Sequence, residues 1–130
     1  MKRTGILHAT LNAELSRLGH TDEVVVADCG LPIPPGGPVV VDLAFTFGVP
    51  SFLQVLDGLL AELVVERAVV AEELDDRNPT CAQALARRLP LIDRISHEDL
   101  KARTARARLV VRTGEATPYA NVLLRCGVPF

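Results

Sequence analysis

The run Val24-Val25-Val26-Ala27 constrains this chain more than any other stretch. A short β-branched run bounded by turn residues reads as a buried strand. Its boundaries are clear. Gly19-His20-Thr21-Asp22 precedes it, and Asp28-Cys29-Gly30, with Pro32 and Pro34, follows it. A histidine therefore stands before the strand and a carboxylate at its far end. In open α/β sheets the crevice beyond the carboxyl ends of strands is where ligands bind. His20 equally fits an ordinary loop histidine, and Asp28 an ordinary turn former.

The rest of the chain alternates between strand and helix patterns. Val39-Val40-Val41-Asp42-Leu43, Leu63 to Ala71, Leu109-Val110-Val111 and Asn121 to Cys126 read as strands, and Pro90 to Ile95 as a loop or short strand. Thr10 to Leu18 predicts a helix with Leu11, Leu15 and Leu18 on one face and Gly19 as its stop. Ser51 and Gln54 have capping-box spacing ahead of a stripe of Phe52, Val55, Leu56, Leu59 and Leu60. Asn78-Pro79 starts a helix to about Leu89, with Ala82, Leu85, Ala86 and Leu89 inward. Ser96 starts another, with His97 in its first turn and Glu98 and Asp99 at the positive end of the helix dipole. Such alternation predicts an α/β fold: a three-layer single domain over residues 1–130, with helices on both faces of a mixed, mostly parallel sheet. The antiparallel piece is expected where the Gly114–Pro118 turn joins the last two strands.

Composition narrows the function. The 14 Lys and Arg against 16 Asp and Glu leave a net charge of −2, so no basic face is offered to nucleic acid or an anionic membrane. Aromatics are 4% and Trp is absent, so the core must be aliphatic. Cys29, Cys81 and Cys126 are odd in number and lack CxxC spacing, which fits reduced thiols better than a disulfide framework or a zinc knuckle. The polar N-terminus is unlike a signal peptide, and no apolar run approaches about 18 residues. A soluble, cytoplasmic protein is expected.

Polar residues at element ends form the candidate constellation: His20, Asp28, His97, Tyr119 and Asn121. An imidazole or two, a carboxylate, a phenol and an amide suit the reading of hydroxyls and the movement of protons on them. Tyr119 also fits a packing residue with a wet hydroxyl, and Asn121 a turn residue. No phosphate loop, GxSxG or HExxH is present, and the His and Asp spacings match no metal motif, so no metal is expected. The segment Val122 to Phe130 is apolar to its last residue, which predicts a terminus covered by the core or by a neighbouring copy.

Several blocks, in order along nearly the whole chain, resemble the D-ribose pyranase family, which belongs with the fucose mutarotases. They are Ser16-Arg17-Leu18-Gly19-His20-Thr21-Asp22, Asp28-Cys29-Gly30-Leu31-Pro32-Ile33-Pro34 and Gly48-Val49-Pro50-Ser51-Phe52. Ala71-Glu72-Glu73, His97, Arg112-Thr113-Gly114-Glu115 and Pro118-Tyr119-Ala120-Asn121 continue the match. The chain departs at Gly36-Gly37-Pro38 and is short between Leu89 and Ser96. The resemblance implies an isomerase that interconverts the pyranose and furanose forms of D-ribose without metal or redox cofactor. A mutarotase for another sugar such as fucose, or a sugar-binding module without turnover, are the alternatives. It implies His20 as proton donor, and Asp28, His97, Tyr119, Ala120 and Asn121 as sugar-binding residues. Lys101 carries over through the looser segment Glu98-Asp99-Leu100-Lys101. It also implies a homopentamer or homodecamer with pockets at subunit interfaces.

Overall fold

The computed structural model describes residues 1–130. Six strands form one sheet: β1 (Glu23–Ala27), β2 (Val39–Asp42), β3 (Val65–Ala71), β4 (Ile92–Ile95), β5 (Leu109–Arg112) and β6 (Val122–Cys126). Their spatial order is β2-β5-β1-β6-β3-β4. β1 pairs in parallel with β5, as do β2 with β5 and β3 with β4. β6 lies between β1 and β3, antiparallel to both.

The sheet is mixed and mostly parallel, but its antiparallel partner differs from the expected one. β5 and β6 are consecutive in the chain yet do not pair, because β1 lies between them. The connection from Thr113 to Asn121 passes over the carboxyl end of β1 instead of folding back as a hairpin. Thr113 N and Oγ1 both donate to Ala27 O there, at 2.9 and 2.8 Å, and Cys29 N donates to Glu115 O at 2.8 Å. Those bonds give the crossing backbone the partners a hairpin ladder would otherwise supply.

Helices cover both faces. α1 (Ala9–Leu15), α2 (Phe52–Leu60) and α4 (Pro79–Ala86) bury Leu11, Leu15, Phe52, Leu56, Leu59, Cys81 and Leu85 against Val24, Val26, Ala68, Val70, Val122 and Leu124. The opposite face is thinner: α5 (His97–Thr104) sets Leu100 on Val25, Ala27, Val69, Val110 and Leu123. The alternation of partners along β1, even residues to one layer and odd to the other, follows from the period of two in a strand. It explains why the Val24–Ala27 run has no polar member.

The expected caps form. Ser51 accepts from Gln54 N while Gln54 Oε1 accepts from Ser51 N, and Asn78 and Ser96 cap α4 and α5. Two helix ends and one element differ: α4 stops at Ala86, short of Leu89, with Ala86 exposed and Cys81 and Ala84 in the inward positions beside Leu85. α1 ends at Leu15, not Leu18, in a tight turn in which Arg17 N bonds Glu14 O, and Leu18 packs on the core from outside the helix. An additional short helix, α3 (Glu73–Arg77), precedes α4.

Candidate functional site

Five strands point their carboxyl ends to one edge of the sheet, and β6 begins there. Asp28 follows β1, His97 opens α5 directly after β4, and Tyr119-Ala120-Asn121 leads into β6. The expected residues from three separate blocks therefore meet at one place.

Asp28 forms its floor, and Asn121, buried behind it and not lining the cleft, holds it there. Asp28 N donates to Asn121 Oδ1 at 2.8 Å, and Asn121 Nδ2 donates to Asp28 Oδ2 at 2.7 Å. Gly30 N donates to Asp28 Oδ1 at 2.9 Å, closing a turn on the same carboxylate. Asn121 is fully buried, so its amide is spent on fixing Asp28. The carboxylate keeps further lone pairs for donors such as sugar hydroxyls.

Tyr119 and His97 form the wall. Their rings meet edge to face, 5.0 Å between centroids and 89° between planes. Tyr119 has φ 58, a left-handed conformation uncommon for a residue with a side chain. Its surroundings hold it there. Asn121 N bonds Tyr119 O at 2.8 Å, and Asn78 Nδ2 bonds Thr117 Oγ1 and Pro118 O, each at 3.0 Å. Asn78 thus caps α4 with one end of its amide and holds the Tyr119 turn with the other. His97 N donates to the Glu73 carboxylate at 3.0 and 3.2 Å, while His97 Nδ1 is buried with no protein partner. A cleft of about 340 Å³ opens between these walls, lined by Asp28, His97, Tyr119, Pro118, Leu31 and Arg77 among others. Ligand pockets begin at about 300 Å³.

Ala120, Lys101 and His20 are placed differently. Ala120 is buried in the main core, so only its backbone can face a ligand. Lys101 pairs with Glu98 at 2.6 Å and does not line the cleft. His20 lies before β1, at the opposite edge of the sheet, with its side chain half exposed. From Glu23 to Ala27 alone the strand spans about 13 Å. His20 instead faces a larger cavity of about 540 Å³, walled by Leu63, Val64 and the C-terminal segment Gly127 to Phe130. Its backbone is held: Thr21 stands at φ 70 and donates to Cys126 O at 2.9 Å, and Gly19 N bonds Asp22 Oδ2 at 2.8 Å.

Arg77 has no signal in the sequence, and Glu73, matched in the Ala71-Glu72-Glu73 block, and Asn78, read as a cap, carry contacts that the sequence does not show. Asn78-Pro79 did announce the cap, but nothing local signals that the same amide reaches Thr117 and Pro118. No three His, Cys, Asp or Glu side chains are grouped to hold a metal ion.

Residues 1–129 match the RbsD / FucU transport protein family. The chain belongs to this family. Over 100% of both chains it is 62% identical to D-ribose pyranase 1 of Rubrobacter xylanophilus and 61% identical to D-ribose pyranase 2 of Streptomyces griseus. The structure of Bacillus subtilis RbsD complexed with D-ribose superposes with a TM-score of 0.95 at 42% identity, covering 100% of both chains. The fucose mutarotase of Streptococcus pneumoniae in complex with L-fucose matches at TM-score 0.80 and 22% identity, again over 100% of both chains. That likeness is one of fold. The family resemblance read from the motif blocks holds, and so does the α/β class.

Proposed function

We propose that this chain is an isomerase interconverting the pyranose and furanose forms of D-ribose, with residues 1–130 acting as one ribose pyranase-like domain. The observation that carries the reading is the full-length identity of 62% with a D-ribose pyranase. The cleft at the carboxyl edge of the sheet offers the hydroxyl-reading groups such a substrate needs.

The chemistry is a pair of hemiacetal steps. The C1–O5 bond breaks as O5 takes a proton and the O1 hydroxyl gives one up, leaving an open-chain aldehyde. O4 then attacks C1, loses its proton, and O1 is reprotonated. No electrons leave the sugar and no group is transferred. Positioned acid–base groups accelerate such steps by about 10² to 10⁴-fold. Asp28 and Tyr119 hold sugar hydroxyls, His97 lies beside them, and His20 supplies and takes the proton.

His20 and Asp28 stand at opposite ends of β1, further apart than a pentose can bridge. The proposed site is therefore composite: one protomer contributes Asp28, His97, Tyr119 and Asn121, and its partner contributes His20. Exposed apolar side chains support assembly, since Phe45, Phe47 and Phe130 are 86%, 82% and 98% exposed in the single chain. A homopentamer, or a pair of them, closes such head-to-tail contacts into a ring. Its place is the cytoplasm, which suits three unpaired cysteines and a chain in which no helix is long and apolar enough to cross a membrane.

Magnetisation-transfer NMR on D-ribose tests the reading. Added protein should speed exchange between pyranose and furanose signals. Binding without faster exchange would leave a sugar-binding module, and faster exchange of L-fucose alone would make it a mutarotase for another sugar.

A further inference from the structure

We propose that Glu66, anchored by Arg125, is a positioning residue that holds His20 by Nε2 and so assigns Nδ1 as the nitrogen that exchanges protons with the substrate. The inference rests on the functional reading above and deepens it. Glu66 Oε2 lies 3.2 Å from His20 Nε2, and its other oxygen, Oε1, lies 2.9 Å from Arg125 Nε. Carboxylate oxygens only accept, so the Glu66 contact fixes the proton of His20 on Nε2. Nδ1 is then bare in the neutral ring and carries the transferable proton in the charged one. The proton leaves Nδ1 for O5 and Nδ1 is reprotonated from O1, while Nε2–H stays on Glu66 throughout.

The backbone is built for this contact. Val65 pairs with Cys126 and Arg67 with Arg125, so two steps along β3 oppose one along β6, and Glu66 is the extra residue of a bulge. Val65, Ala68 and Val70 all pack on the main core. Residues 65 and 68 differ by an odd number, and an unbroken strand would put them on opposite faces. It would also send Glu66, in phase with Ala68 and Val70, into that core. The bulge removes Glu66 from the apolar face and re-aims it, as bulges near functional sites do. The pair is half exposed, with side chains 54% and 38% accessible. Exposed ion pairs add little to stability, so holding up the fold is a poor account of it.

The test compares Glu66→Ala, Glu66→Gln and Arg125→Ala with His20→Ala and the unaltered protein, by exchange kinetics on D-ribose and by ¹⁵N NMR of histidine-labelled protein. Glu66→Ala should lower kcat by about tenfold to hundredfold with KM within about twofold, since Glu66 does not touch the sugar. Glu66→Gln keeps an acceptor oxygen and should recover part of that loss. Arg125→Ala, which frees Glu66 without removing it, should fall between Glu66→Ala and the unaltered protein. The neutral His20 ring should be the Nε2–H tautomer in the unaltered protein and a mixture in Glu66→Ala. Full kcat in Glu66→Ala beside an inactive His20→Ala would overturn the inference, as would an Nδ1–H tautomer in the unaltered protein. Absence of ribose exchange in the unaltered protein would instead overturn the functional reading, and the tautomer would still judge the Glu66 contact. Full activity in His20→Ala would remove the residue that Glu66 is inferred to position and overturn the inference with it.

Discussion

Asp28 and Asn121, 93 residues apart, bond each other twice, backbone to amide and amide to carboxylate. The pair joins the end of β1 to the start of β6 and aims the Asp28 carboxylate at the cleft. Asn121→Ala therefore has two expected costs. It leaves the half-buried Asp28 N–H without its protein acceptor, worth about 1 kcal/mol of stability. It also frees the carboxylate, so ribose affinity by calorimetry should fall further than in His20→Ala. Asp28→Asn should weaken binding in the same order. Equal affinity in all three variants would place these side chains outside the pocket.

His20→Ala should abolish exchange while the circular-dichroism spectrum and melting temperature stay close to those of the unaltered chain. The side chain is half exposed and outside both cores, so its loss opens no cavity. A variant exchanging ribose at the normal rate would remove His20 as the acid.

The separation of His20 from Asp28 gives a sharper test. If one protomer supplies each, His20→Ala and Asp28→Asn are defects of different subunits at one pocket. Dissociated, mixed and reassembled, the two inactive proteins should regain activity. Random mixing pairs an intact His20 with an intact Asp28 at about a quarter of the interfaces. No recovery in verified mixed oligomers would place both residues in the same protomer's site.

Much of this was readable because it is local. The caps at Ser51, Asn78 and Ser96 depend on residues three positions apart, and each formed. α3 was missed because Glu73 to Arg77 is acidic, short and without an apolar repeat; only Leu74 anchors it. The place of β6 between β1 and β3 was unreadable, since it is decided by pairings far apart in the chain, such as Val26 with Val122 and the Asp28–Asn121 bonds across 93 residues. The split of the candidate site was legible in principle. Residues flanking a five-residue extended run must lie at opposite ends of it, so His20 and Asp28 could never share a pocket within one chain.

Burial pushes the Cys81 thiol up to about 11 from an ordinary value of 9.0. The folded state therefore keeps a proton that the unfolded chain loses above pH 9. Cys81 contributes stability that is full below pH 9 and is lost as pH rises to about 11, at most about 2 to 3 kcal/mol. Cys81→Ala should lower stability at pH 7 by about 1 kcal/mol for the vacated space, yet show a shallower decline across that alkaline window. Denaturant titrations at pH 8 and 10.5 measure both. Parallel declines in the two proteins would remove the thiol as the titrating group.

The C-terminal segment closes the argument about assembly. Gly127 N bonds Val64 O at 2.9 Å, and beyond it the chain makes no further backbone bond. Val128 is 36% exposed and Phe130 98% exposed beside the cavity that His20 faces. An aromatic ring left in water at the edge of the cavity that His20 lines is best accounted for by a partner that covers both. Deleting Val128 to Phe130 removes no buried core residue, so the fold should survive with little loss of melting temperature. Light scattering on the full chain should give a multiple of the 14.0 kDa chain mass, and the shortened chain should shift toward that single mass with a parallel loss of ribose exchange. A shortened chain that remains monomeric and fully active would show that the segment serves only its own protomer, and would undo the composite site with it.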